Sequence, residues 1–369
     1  MIDISKEQKV TNTAIFLGAG TSYIAGVPIQ SEILKTICSN KEILYSNNGN
    51  IFIKFLKDNF GYNENCDNLP AIEEIYSFLD FFISQNENLS SKYSVEKLKN
   101  IWNIFTQLIC SAIHTGVSIE NNEDTYFNFW QKLLELNHKI SIITTNYDSC
   151  FFESFDRFYS HDCLLNYNID FANYYDEYMN GINEFYWWIK AEENSKNTKI
   201  IDVYKLHGSL DWLYCSNCNK VLHTPFLQAN YNLENGELKE FPMLSDNGKT
   251  MQRIAMCPVD KCKYQILIVP PTYNKNFNNS ILKDLYFKAL LKLRRAKNII
   301  FIGYSFPDAD YHIKALFNRV NMTRKNVVVI DKFLDDNKKR KYLSICNHVK
   351  FKEIAFENCI DEFTSYLSD

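Results

Sequence analysis

The chain has 369 residues, 46% hydrophobic and 23% charged, with a high 15% aromatic share; this is globular composition with enough apolar material for a large core, and it argues against disorder over most of the length. A formal net charge of −4 gives no general attraction to phosphate backbones, so direct nucleic-acid binding is not expected. The opening Met1 to Lys9 has no apolar leader, no apolar run approaches the ~18 residues that cross a bilayer, and 11 cysteines, an odd count, fit free thiols in a reducing, cytoplasmic setting better than a disulfide framework.

In chain order, Thr13 to Gly18 reads as a buried strand entering a glycine turn, and Ser22 to Ile37 as the helix after it. Residues 41–137 carry apolar positions every three or four residues, as in Ile72 to Phe82 and Val95 to Ile113, which predicts a helical insertion. Its aromatic stripe, including Trp102, Phe105, Phe129 and Trp130, reads as core, with a cofactor or partner surface as the lesser alternative. Ile140 to Thr145 is a second buried strand, whereas residues 150–198 show only weak periodicity. Four cysteines fall in 213–265, and Ile266 to Pro271 resumes strand character. Helices near 280–296 and 310–321 alternate with strands Asn298 to Gly303 and Asn326 to Asp331. The basic run Lys338 to Lys341 follows two aspartates and reads as a solvated helix start. The predicted fold class is α/β, a Rossmann-like parallel sheet assembled from 1–40, 138–212 and 266–369, with the helical insertion 41–137 and a small cysteine-rich, zinc ribbon-like insertion 213–265.

Candidate chemistry sits where strands end. Gly18-Ala19-Gly20-Thr-Ser22 joins strand to helix, where small residues and helix N–H groups suit a diphosphate; a glycine turn that merely packs helix on sheet is the alternative. Thr144-Thr-Asn146-Tyr-Asp148 offers an amide and a carboxylate that can orient a water or a ribose hydroxyl, or else cap a turn. His207, in Lys-Leu-His-Gly-Ser-Leu-Asp-Trp, titrates in the right range for a general base, although a lone histidine is more often structural. Gly303-Tyr-Ser305 repeats the strand-to-helix pattern, and Asp331 ends a strand where a carboxylate binds ribose hydroxyls or caps a helix.

Gly18-Ala-Gly-Thr-Ser22, Gly26-Val-Pro28, Thr144-Thr-Asn-Tyr-Asp148 and His207-Gly208, in that order, resemble the sirtuin superfamily. Thr-x-Asn-Tyr-Asp, His-Gly-Ser, Gly303-Tyr-Ser-Phe-x-Asp-x-Asp310 and Ala71-Ile-Glu-Glu-Ile-Tyr-Ser-Phe-Leu79 look more like the bacterial sirtuin-like NAD⁺ hydrolases of antiphage defence. The resemblance implies an NAD⁺ hydrolase with NAD⁺ as substrate. Asn146 and His207 are then the catalytic pair with Asp148 in support, and Gly18, Ala19, Gly20, Ser22, Gly303, Ser305 and Asp331 line the dinucleotide. An NAD-dependent deacylase or ADP-ribosyltransferase, or a non-catalytic nucleotide-binding subunit, are the alternatives. Deacylases of the family follow Gly-Ile-Pro with Asp-Phe-Arg, whose ring covers the reacting ribose; this chain reads Pro28-Ile-Gln-Ser-Glu32, which favours water as the acceptor unless a ring of the helical insertion substitutes.

Cys215-x-x-Cys218 and Cys257-x₄-Cys262 have the spacing of a structural Cys₄ zinc site, against four reduced thiols as the alternative and with His223 as a substitute ligand. Sirtuins carry such a module shortly after His-Gly. The resemblance also implies a homo-oligomer and a regulatory partner such as an ATPase or argonaute-type protein.

Overall fold

The computed structural model describes residues 10–63, 69–115, 117, 123–159, 163–172, 199–224, 232–236, 242–244, 250–253, 257, 259–273, 275 and 279–367. Most of the weakly periodic segment 150–198 and much of the loop between the cysteine pairs lie outside them.

Seven parallel strands form the main sheet: β1 (Thr11–Leu17), β2 (His138–Thr144), β3 (Cys163–Asn166), β4 (Lys199–Lys205), β10 (Asn298–Ile302), β11 (Asn326–Asp331) and β12 (Lys350–Glu353), in the order β12-β11-β10-β1-β2-β4-β3. The predicted α/β class and parallel sheet are thereby found. Alternate residues of β1 point to opposite faces, and both faces are apolar because helices cover both. Ile15 and Leu17 enter one core with Ile142, Val203 and Ile302; Ala14 and Phe16 enter the other with Tyr204, Phe301 and Val329.

The first face is covered by α1 (Gly20–Tyr23), α2 (Gln30–Ser39), α3 (Lys41–Leu44), α4 (Asn47–Phe60), α5 (Ile72–Gln85), α6 (Val95–Thr115), α7 (Glu123–Glu135) and α8 (Cys150–Tyr159). The predicted helical passage is real, and its hydrophobic core is continuous with that of the sheet. Phe105, Phe129 and Trp130 are fully buried, and Trp102 meets Tyr76 edge-on at 4.7 Å, so the aromatic stripe is core. The single helix expected over Ser22 to Ile37 is instead two. Gly26 takes a left-handed φ of 85° and Pro28 follows it, so α1 ends and α2 restarts at Gln30. The second face carries α9 (Ser280–Arg295), α10 (Tyr311–Asn318) and α11 (Asp336–Leu343).

A small antiparallel sheet, β6 (Val221–His223), β5 (Gly208–Tyr214) and β9 (Gln265–Ile268), begins directly after His207, so the predicted strand at 266 belongs to it and not to the main sheet. The hairpin of β7 (Pro242–Leu244) and β8 (Thr250–Arg253) lies in the same stretch of chain. No helix among the described residues is long and apolar enough to cross a membrane.

Candidate functional site

Register decides which side chains meet. Leu17 pairs with Thr144 and with Ile302, Thr144 with Lys205, and Ile302 with Ile330. The residues that follow are Gly18, Thr145 and Asn146, Leu206 and His207, Gly303, and Asp331, so all emerge along one edge. From β4 to β11 is four strand spacings, about 19 Å at ~4.8 Å each. The chain runs from β1 towards β2 and β4, then returns to add β10 to β12 on the other side. The reversal lies between β1 and β10, the position where open α/β sheets bind ligands.

A cleft of about 1080 Å³ follows that edge, and Ala19, Gly20, Asn146, Asp148, His207, Gly303, Ser305 and Asp331 all line it. Gly18 and Ser22 stand behind the lining. At the centre the two glycine turns interlock: Gly18 N donates to Ile302 O and Gly20 N to Gly303 O, both at 2.9 Å. A Cβ on Gly18 would lie 2.4 Å from Tyr304 Cα, and one on Gly303, whose φ is 60°, 2.8 Å from Gly20 Cα. The N–H groups of Thr21 and Ser22 are taken by Gly18 O and Ala19 O, so these helix-start donors are occupied by the turn itself.

Asn146 is oriented by the first turn. Its Nδ2 donates to Gly18 O at 3.0 Å and to Ser22 Oγ at 3.1 Å, which turns Oδ1 into the group that can accept from a ligand. Ser22 therefore acts on the cleft through Asn146. Asp148 Oδ1 accepts from Cys150 N at 3.2 Å, at the start of α8, while Lys205 Nζ donates to the Asp148 carbonyl at 2.6 Å. Beneath, Ser149 Oγ donates to Asp211 Oδ2 at 2.6 Å, and His223 Nε2 lies 3.2 Å from the same oxygen.

His207 is 4% exposed, and its Nε2 lies 2.8 Å from His312 Nε2 and 3.8 Å from Asp310 Oδ1. One imidazole of this pair donates and the other accepts. Asp310 also pairs with the buried Lys275 and accepts from Tyr304 OH at 2.7 Å. Burial, reinforced by the Lys275 charge and opposed by Asp310, holds His207 well below the ordinary imidazole value. Burial likewise brings His312 down to about 4, against the pull of Asp310. Both rings are neutral near pH 7, the form in which an imidazole nitrogen accepts a proton.

At the far end of the cleft the basic run differs from the sequence reading. Asp331 Oδ1 accepts from Lys338 Nζ and from Phe333 N, each at 2.9 Å. Asp335 does cap α11, through Lys338 N, but the Lys338 side chain folds back into the cleft wall at 16% exposure, and only part of the basic run is solvated.

The four cysteines converge although 38 residues separate the pairs in sequence. Cys215 Sγ lies 3.1 Å from Cys262 Sγ, and Cys218 Sγ 3.9 Å from Cys257 Sγ, close to the ~3.7 Å between sulfurs around a tetrahedral ion with ~2.3 Å bonds. Asp260 Oδ2 joins at 3.3 Å from Cys215 Sγ, and Cys215, Cys218, Cys257 and Asp260 form a group able to hold a metal ion. Burial pushes the Cys218 thiol up to about 11, and a thiol contact with Cys215, ahead of burial, does the same for Cys262; a cation among them would reverse both. His223 is no substitute ligand: it faces Asp211 and packs against Tyr167 and Phe171.

Four contributors to the site carried no signal strong enough to single out from sequence. Lys275 follows β9 and Gln30 opens α2, while Glu73 lies in the first turn of α5. His312 lies two residues beyond the end of the Gly303 to Asp310 phrase. Among the described residues, the helical passage gives Leu69, Pro70, Ala71, Ile72, Glu73 and Ile113 to the lining and no aromatic ring, so a substitute cover from that passage is absent from them.

Among known proteins, a family model described as SIR2-like domain matches residues 140–349. No curated protein matches the chain. A solved Sir2 homologue in complex with NAD is 14% identical over 96% of this chain and 88% of its own, with a TM-score of 0.44. A mutant Sir2 homologue in complex with 2′-O-acetyl ADP-ribose is 14% identical over 96% and 91%, with a TM-score of 0.43.

Proposed function

This chain belongs to the SIR2-like domain family, and on that premise we propose that its cleft binds NAD⁺ and hydrolyses the nicotinamide-ribose bond to give ADP-ribose and nicotinamide. The observation that carries the reading is the meeting of Asn146, His207 and the two glycine turns on one cleft, where Pro28 is followed by Ile29 and Gln30 and the helical passage gives no ring to the lining among the described residues. The diphosphate lies over Ala19, Gly20 and Gly303, where the small residues of the two turns line the cleft. As nicotinamide leaves, positive charge grows on the ribose, and groups that meet that charge lower the barrier. Asn146 Oδ1 accepts from a ribose hydroxyl or water. His207, neutral and buried, exchanges its His312 contact for a ribose hydroxyl and accepts its proton.

The cysteine cluster fits a structural Zn²⁺ that ties β5 to the chain entering β9; four thiolates leave no open position, so the ion supplies folding stability and no chemistry. A free hydrolase of this kind depletes its own cell, which suits a defence effector restrained by self-assembly or by an ATPase or argonaute-type partner.

The test is incubation of purified protein with NAD⁺ and no peptide, with products read by mass spectrometry. Free ADP-ribose and nicotinamide in equal amounts support hydrolysis. Release of nicotinamide only when an acylated peptide or a protein acceptor is added assigns the chain to deacylation or ADP-ribosyl transfer, and binding without turnover to a sensor role.

A further inference from the structure

If the cleft hydrolyses NAD⁺, the attacking water needs a group to take its proton, and the groups already described are committed. His207 takes the proton of the ribose hydroxyl, Asn146 is a neutral amide with no basic atom, and Asp148 Oδ1 is held by Cys150 N. A different carboxyl faces the same space. Glu73 is half-buried in the first turn of α5 and lines the cleft with Asn146 and His207; its neighbour Glu74 is exposed and does not. Its Oε1 accepts from Gln30 Nε2. One turn further along α5, Ser77 Oγ accepts from Tyr273 N at 2.8 Å, which pins the helix to the loop carrying Lys275. Lys275 in turn holds Asp310, 3.8 Å from His207 Nε2.

We propose that Glu73 is the catalytic carboxylate that deprotonates the attacking water and faces the cationic ribose, with Gln30 as its positioning residue. This rests on the hydrolase reading. In the step, the C1′–N bond breaks and nicotinamide leaves neutral with the electron pair. A water oxygen bonds to C1′, and its proton passes to Glu73 Oε2, the oxygen not held by Gln30. The proton is then lost to solvent, so the sum is NAD⁺ and water giving ADP-ribose, nicotinamide and H⁺. A carboxylate opposite an oxocarbenium-like carbon is the arrangement that glycoside hydrolysis also uses. Burial raises the Glu73 carboxyl above its ordinary value, opposed by its own backbone amide and by Lys275, and a raised value suits a base that must hold a proton in passing.

The experiment compares wild type, Glu73→Ala and Glu73→Gln for NAD⁺ cleavage, with and without sodium azide, an anion that attacks carbon without needing a base. Glu73→Ala is expected to lose at least ~10²-fold in turnover and to regain at least ~10-fold with azide, giving ADP-ribosyl azide. Glu73→Gln keeps the shape and the Gln30 contact, so it is expected to lose turnover with KM little changed. Undiminished hydrolysis by either folded variant overturns the assignment, as does a loss in Glu73→Ala that azide does not relieve. Should Glu73→Ala not fold, Glu73→Gln decides alone. A wild type that never cleaves NAD⁺ removes the hydrolase reading and this assignment together, whereas an active wild type beside active variants removes only Glu73.

Discussion

Replacing Gly303 with alanine tests how tightly the two glycine turns are locked, and the structure supplies its own control. The residue sits at φ 60°, and an added Cβ would meet Gly20 Cα at 2.8 Å and Gly20 C at 2.9 Å, backbone atoms that cannot swing away. Two costs follow: about 1–2 kcal/mol for a side chain in the left-handed region and about 1–3 kcal/mol for overpacking. Gly61, which ends α4, has nearly the same φ, 65°, yet an added Cβ there meets nothing within 4 Å. Gly61→Ala should therefore show the conformational cost alone. Urea denaturation of both variants is the assay. Gly303→Ala is expected to lose about 2–5 kcal/mol, and its excess over Gly61→Ala is the contact itself. Equal losses in the two variants would refute the claim that the turns are in contact, and with it the placement of a diphosphate over them.

Other outcomes follow from the same geometry. His207→Ala and Asn146→Ala should each lower NAD⁺ turnover by at least ~10²-fold while the melting curve stays cooperative; a folded His207→Ala protein with full turnover would remove His207 from the chemistry. His207 and His312 are depressed in the fold, so below pH 6.5 the unfolded chain takes up protons that the native state refuses. Stability held above pH 6.5 should then fall as the pH drops towards the His312 value of about 4, and His312→Gln should flatten the slope of Tm against pH. Purified protein should carry about one zinc per chain, and Cys215→Ser should lower both zinc content and Tm; far less than one zinc with an unchanged melt would make the cluster four plain thiols.

The central strands were legible because both faces are buried, which writes runs such as Ile299-Ile-Phe-Ile302 and Val327-Val-Val-Ile330 into the sequence. Their ends then pointed to Asn146, Gly303 and Asp331 without any knowledge of register. The outer strands were harder. In β12 only one of four residues is an apolar one, and β4 opens with a half-buried lysine and an exposed isoleucine after a segment of weak periodicity. The break between α1 and α2 could have been read from Gly26 and Pro28, two breakers two residues apart, but the apolar spacing on either side masked it. The ionic side of the site was not legible. Lys275, Asp310 and His312 owe their pairing to how β9 and α10 fold over the sheet edge, and nothing local to a buried lysine says which carboxylate it will meet. For the same reason Lys338 looked like one cation among four until its bond to Asp331 set it apart.

The most direct test of the account is a crystal structure of the His207→Ala protein with NAD⁺, in which slow turnover leaves the substrate intact. The nicotinamide riboside should lie beside Asn146 and Glu73, the diphosphate over Gly20 and Gly303, and the adenosine ribose towards Asp331. A dinucleotide bound elsewhere, or lying in the cleft with its nicotinamide end at Asp331, would contradict it.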